Sequence, residues 1–172
     1  MAPTILIVGA TGNTGKALMT ALPGLLKSST TLSSHRIIGL TRSASSASSR
    51  ALAKLPGVEL VENDWTHIDA DWLREHSVSR VFIAPHIEPS AFADESGLIV
   101  AMLEAGVEYF VRISTTGVNV SPTSKVTHAR MHWAIENLLS QPEYEGLKWT
   151  SLQPNIFVSY FSLISIVRSW VA

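Results

Sequence analysis

The sequence predicts an α/β fold, a doubly wound parallel sheet with helices on both faces. Three observations predict it. Strand-like and helix-like segments alternate along the whole chain, which is the pattern of a parallel sheet joined by crossover helices. The first strand and the first helix are separated by a glycine-rich turn, Gly9-Ala10-Thr11-Gly12-Asn13-Thr14-Gly15. Hydrophobic residues make up 46% of the 172 residues and charged residues only 16%, against about 25% in an ordinary soluble domain. Such a composition suits a sheet buried on both faces.

The elements follow in order. Residues 5–8 are the apolar run Ile-Leu-Ile-Val, a buried strand, and residues 16–22 have helical spacing. A polar loop over 28–34 leads to a second strand over 36–41. The Ser/Ala segment 43–49 follows, and Ala47, Ala51, Leu52 and Leu55 would give one apolar helix face there. A third strand covers 58–61, a short helix 71–75, and a fourth strand 80–84, stopped by Pro85. Residues 92–105 form a helix with Leu98, Ile99, Met102 and Leu103 as its apolar face, and Gly106 stands in the usual C-terminal position. A fifth strand covers 108–113. The longest helix covers 125–140, with Met131, Ile135, Leu138 and Leu139 as its stripe, and a sixth strand covers 147–152, ended by Pro154. With the glycine turn placed first, the expected strand order is 3-2-1-4-5-6, that of a Rossmann-type sheet of about six strands.

That turn carries the first functional expectation. Strand, glycine turn and helix bring a pyrophosphate onto the helix N-terminus, where free backbone N–H groups and the helix dipole favour negative charge. Gly9, Gly12 and Gly15 would provide the tight turn, the close approach to phosphate and the close packing of helix on strand; Thr11, Asn13 and Thr14 complete the cradle. The end of the second strand selects the cofactor. NAD sites place a carboxylate there to bind the ribose 2′-hydroxyl. This chain has Thr41-Arg42-Ser43 instead, and an arginine can pair with a 2′-phosphate, so NADP(H) is expected. Asp64, after the third strand, would either accept the adenine amine or cap the next turn. Ala84, Pro85 and His86 end the fourth strand at the carboxyl edge, where the middle of the cofactor should lie; His86 either contacts it or is solvated.

Two further groups bear on chemistry. Ser114 and Thr115 end the fifth strand on the ligand side, where they would hold a substrate carbonyl or cap the strand. His128, His132 and Glu136 lie at i, i+4 and i+8 and so share one helix face. Two histidines at that spacing can bind zinc, but no third ligand is evident, and no metal is expected. They would otherwise work as acid and base near neutral pH, or form a polar face in which Glu136 pairs with His132.

The composition excludes other classes. A formal net charge of -1 gives no electrostatic case for nucleic acid. With no cysteine there is neither a disulfide framework nor thiol chemistry. No basic, apolar leader precedes the first strand, so the chain is expected to be cytoplasmic. The apolar tail after residue 155 is interrupted by Arg168 and diluted by Ser159, Ser162 and Ser165. It falls short of the roughly 20 apolar residues of a membrane span. The expected organisation is a dinucleotide-binding domain over 1–154 and an apolar helix over 155–172.

Together these residues resemble the NmrA-like proteins, an atypical branch of the short-chain dehydrogenase/reductase superfamily. Gly9-Ala10-Thr11-Gly12-Asn13-Thr14-Gly15 is similar to the family's GATGxTG opening. Glu104 to Ser114 is similar to its AGVKRFVxxS strand, and Gly146 to Phe157 to its GLxWTxLRPxxF segment, with Gln153 in place of the arginine. The superfamily's Tyr-x-x-x-Lys is replaced by His128-Ala129-Arg130-Met131-His132, so the resemblance implies chemistry without that tyrosine, with His132 or His128 as proton donor. It also implies a substrate region beyond the sixth strand, of which this chain holds little. Either the tail packs on a second subunit or another protein, or the chain is a fragment or a truncated relative of the family.

The expected function is an NADP(H)-dependent oxidoreductase acting on a small carbonyl, enone or quinone. The alternatives are an NADP(H) sensor that regulates a protein partner, and a cofactor-independent isomerase or cyclase that uses the histidines.

Overall fold

The run Thr4–Val8 is buried at every position, which marks it as a central strand of a sheet covered on both sides. In a computed structural model of the chain, residues 2–155 are described. Six strands, β1 (Thr4–Val8), β2 (Arg36–Thr41), β3 (Val58–Glu62), β4 (Val78–Ile83), β5 (Tyr109–Ile113) and β6 (Lys148–Leu152), form one parallel sheet in the order β3-β2-β1-β4-β5-β6. This is the predicted order. The chain reverses direction across the sheet between β1 and β4, so a crevice opens outside the carboxyl ends of those two strands.

Among the described residues, five α-helices cover the sheet: α1 (Asn13–Ser28), α2 (Ala47–Leu52), α3 (Ala70–Glu75), α4 (Ala91–Ala105) and α5 (Thr127–Leu139). One apolar core joins Leu73 of α3, Leu98, Ile99 and Met102 of α4 and Ile135 and Leu139 of α5 to Leu6, Val81 and Phe110 of the sheet. On the opposite face Met19 and Leu26 of α1 and Leu52 of α2 pack on Ile5, Ile7 and Ile37. Alternate residues of β1 thus feed the two cores, as the two-residue period of a strand requires. Among the described residues, no helix is long and apolar enough to cross a membrane.

Several boundaries differ from those expected. The first helix does not stop at residue 22 but continues through Pro23 to Ser28. A proline inside a helix removes one backbone hydrogen bond. Here Pro23 is buried and Leu26 packs on the sheet, and that burial holds the last turn in place. The Ser/Ala segment condenses into α2 only from Ala47, with the Ser46 hydroxyl accepting from the Ser49 amide at 3.1 Å. The short helix α3 starts at Ala70 because Asp69 caps it, its carboxylate accepting from the Trp72 amide at 2.8 Å. The apolar stripe of α5 also shifts: Ala129, His132, Ile135 and Leu139 are its buried residues, and Met131 and Leu138 are only half-buried. The helix expected over the apolar tail lies, from residue 156 onward, outside the described residues.

Candidate functional site

The turn after β1 depends on two glycines. Gly9 has φ +81, a backbone region that residues with a side chain rarely adopt. Gly15 lies in the first turn of α1, and a Cβ there would stand 2.0 Å from the Gly9 carbonyl oxygen. Only glycine lets the helix begin this close to the strand. The Gly12 amide donates to the Gly9 carbonyl at 3.0 Å and closes the turn. Gly12 is itself the N-cap, and it has no side chain to occupy the first-turn amides. Those amides have no acceptor within the helix. The positive end of the dipole of α1 therefore stands open at the sheet edge.

A groove of about 710 Å³ runs from this turn across the ends of β1, β2 and β3, lined among others by Gly9, Gly12, Arg42, Asp64, Ala84 and His86. Thr11 also lines it. The loop carrying Arg42 is tied down. The Thr41 hydroxyl accepts from the Ser43 amide at 3.2 Å and meets the Ser49 hydroxyl at 3.0 Å. The Glu62 carboxylate accepts from the Ala44 amide at 2.7 Å. The Arg42 side chain is exposed and, among the described residues, makes no hydrogen bond or ion pair.

Asp64 takes the capping role that sequence left open. Its Oδ1 accepts from the Thr66 amide at 3.1 Å and from the Thr66 hydroxyl at 2.9 Å. These bonds, the backbone one first, hold its carboxyl below the usual aspartate range. It lines the groove as well, beside Trp65. His86 is not a solvated loop histidine. It is half-buried, with Nε2 at 3.1 Å from Asp94 Oδ2, Nδ1 accepting from the Glu88 amide at 3.2 Å, and its ring 5.3 Å from that of Trp65.

A second pocket, of about 410 Å³, lies on the β5 side and is lined by Thr14, Pro85, Ser114, His128 and His132 among others. Ala84 belongs to both pockets. The Ser114 amide continues the sheet by donating to Leu152 O at 2.7 Å, while its hydroxyl is buried with no partner among the described residues. An unsatisfied buried hydroxyl is uncommon and costs free energy. His128 is exposed at the start of α5; His132, one turn on, is buried, with the two rings 6.4 Å apart and edge to face. Of the predicted residues, Gly15 and Asn13 line neither pocket: Gly15 serves packing, and Asn13 begins the helix, exposed.

Behind His132 is a charge cluster that the sequence reading missed. Arg112 of β5 is fully buried. Its Nε and Nη2 donate to the two carboxylate oxygens of Glu95 at 2.6 and 3.0 Å. Nη1 donates to Ser151 Oγ at 3.1 Å and to Glu136 Oε1 at 3.4 Å. Nη2 also lies 2.9 Å from His132 Nδ1. Glu136 therefore pairs with Arg112 and not with His132. The imidazole of His132 is pushed down to about 4, first by burial, then by the charge of Arg112 and by His128, with Glu136 opposing.

A parallel sheet in this order, with a glycine turn opening onto a helix N-terminus at its switch point, defines the Rossmann class. Within that class the chain belongs to the NmrA-like family, whose sequence profile it matches over residues 1–161. No curated protein matches the chain significantly. Solved structures do. The triphenylmethane reductase of Citrobacter sp., complexed with NADP(H), is 19% identical with a TM-score of 0.68, over 96% of this chain and 55% of that one. An NADPH-dependent quinone oxidoreductase from Escherichia coli, complexed with NADPH, is 23% identical with a TM-score of 0.67, over 95% and 53%. NmrA, a negative transcriptional regulator in complex with NADP, is 18% identical with a TM-score of 0.66, over 88% and 45%. At these identities the likeness is one of fold, and the chain spans about half the length of each of these proteins.

Proposed function

We propose that the chain binds NADP(H) along the carboxyl edge of its sheet and acts as an oxidoreductase on a small carbonyl, enone or quinone compound. The observation that carries this reading is the meeting of two pockets at Ala84, one reaching the glycine turn and Arg42, the other reaching Ser114, His128 and His132. The residues present fit a dinucleotide. The open amides of α1 suit the pyrophosphate, and Arg42, unpaired among the described residues, suits a 2′-phosphate. Trp65 and Asp64, which line the groove after β3, would flank the adenine. Two of the structural neighbours, both reductases, were solved with NADP(H) or NADPH, which supports the same choice.

When bound, the cofactor supplies a hydride. The chain's own residues do the rest. The Ser114 hydroxyl, which has no partner among the described residues, bonds the substrate oxygen. One of the two imidazoles in that pocket, His128 or His132, supplies the proton that completes the reduction at that oxygen. The test is NADPH oxidation, followed by absorbance, against a panel of quinones, enones and aldehydes. Turnover that depends on both NADPH and acceptor supports the reading. Tight NADPH binding with no turnover on any acceptor favours the sensor reading, to which the fold likeness to a transcriptional regulator lends weight. Turnover of a substrate without cofactor would point to the isomerase or cyclase instead.

A further inference from the structure

Guanidinium nitrogens only donate, and Arg112 has five N–H bonds to place. The five acceptors around it are the two oxygens of Glu95, Ser151 Oγ, Glu136 Oε1 and His132 Nδ1. Ser151 in turn donates to Glu136 Oε1 at 2.6 Å, and Gln153 Nε2 donates to Glu136 Oε2 at 2.9 Å. Every N–H of Arg112 thereby has an acceptor. The lone pair of His132 Nδ1 faces an obligatory donor, so that nitrogen carries no proton. Its other nitrogen, Nε2, has no hydrogen bond among the described residues, and the residue lines the pocket that holds the orphaned Ser114 hydroxyl.

We propose that Arg112, held by Glu95, is a positioning residue that fixes His132 with its proton on Nε2, so that His132 offers the pocket a hydrogen-bond donor for a substrate oxygen and not a base. The inference rests on reading the second pocket as the substrate pocket, and it divides the work of the two histidines. His132 Nε2–H and the Ser114 hydroxyl hold the oxygen on which negative charge develops, as a pre-aimed pair of donors does elsewhere. A neutral imidazole does this without giving up its proton. The proton itself then arrives from the solvent side, where His128 is exposed. The charged and titratable groups that face His132 are Arg112 from β5 and His128 and Glu136 from α5, with Glu95 of α4 acting through Arg112.

The test is long-range proton–nitrogen NMR on the full, ¹⁵N-labelled chain at neutral pH, without cofactor or substrate. Six histidines give six imidazole patterns, and His132→Gln identifies the one that matters. The expected pattern is a pyridine-like Nδ1 and a pyrrole-like Nε2, unchanged down to about pH 5. A proton on Nδ1, or a doubly protonated ring at neutral pH, overturns the proposal. In the double variant Glu95→Gln, Arg112→Gln the His132 midpoint should rise; an unchanged midpoint in a folded variant removes Arg112 from the role. Should that variant not fold, the wild-type spectrum still decides. If the chain turns over NADPH, His132→Leu should lower kcat about 100-fold with NADPH affinity unchanged, and His132→Gln, which keeps a donor, should recover most of it. Equal losses in both overturn the donor role. The spectrum is independent of turnover, so its failure is distinct from failure of the oxidoreductase reading.

Discussion

Arg112 and Glu95 meet face to face in the core, the guanidinium fully buried and the carboxylate 3% exposed, through bonds of 2.6 and 3.0 Å. This pair joins β5 to α4 directly beneath the pocket that holds His132 and Ser114. Its geometry is bidentate, the strongest form of such a bond. Removing one partner leaves the other charged and buried. Glu95→Leu should therefore cost about 3–5 kcal/mol in urea unfolding, and Glu95→Leu, Arg112→Leu should cost less than the single change. Additive losses in the double variant would mean that the pair is not coupled.

The depressed proton affinity of His132 gives the fold an acid limit. The folded imidazole titrates at about 4, below the unfolded value of 6.5. The unfolded chain thus binds more protons between those values, and stability falls as pH drops through that window, by up to about 3 kcal/mol in all. His35, also lowered by burial, contributes with the same sign. His132→Gln should flatten the pH dependence of unfolding in this range. A variant with the wild-type slope would assign the acid sensitivity elsewhere.

The Gly15 contact is a geometric requirement. A Cβ at 2.0 Å from the Gly9 carbonyl oxygen forces α1 away from the turn. Gly15→Ala should lower stability by about 1–3 kcal/mol and weaken NADPH binding. Both are read by thermal unfolding and calorimetry on the same sample. A variant unchanged in both would show that the turn yields without cost.

Among the described residues, Arg42 stands without a protein partner at the end of β2. Arg42→Asp should lower the ratio of NADPH to NADH affinity about 10- to 100-fold, the worth of a charge-assisted bond to phosphate. The loop should keep its shape, since Thr41, Ser43, Ser49 and Glu62 hold it independently. An unchanged ratio would remove the 2′-phosphate contact.

Most of the fold was legible in the sequence because it rests on local rules. The buried run before Gly9, the alternation of periods and the stop at Pro85 lead to the sheet order without tertiary information. Gly106, with φ +77, ends α4 where its position predicts. Helix ends were less legible, because Pro23 reads as a stop until the sheet that buries it is known. The groove at the carboxyl edge was legible for the same reason as the fold, since the turn and the strand ends define it. The Arg112 cluster was not. Glu95 falls at i, i+3, i+4 and i+7 with Leu98, Ile99 and Met102, in the stripe that faces the core. Arg112 alternates with Phe110 and Ser114 on the inward face of its strand. Each breaks an apolar pattern, and two such breaks on adjacent elements were the available signal. Read singly, each passes for a surface charge. His132 was found for its helical spacing with His128, but its burial depends on this pair.

The measurement that tests the account most directly is a calorimetric titration of the folded chain with NADPH, NADP, NADH and NAD. Saturable binding is expected, with NADPH tighter than NADH by about 10-fold or more, through Arg42. A folded protein that gives no binding heat with any of the four, or one that prefers NADH, would contradict it.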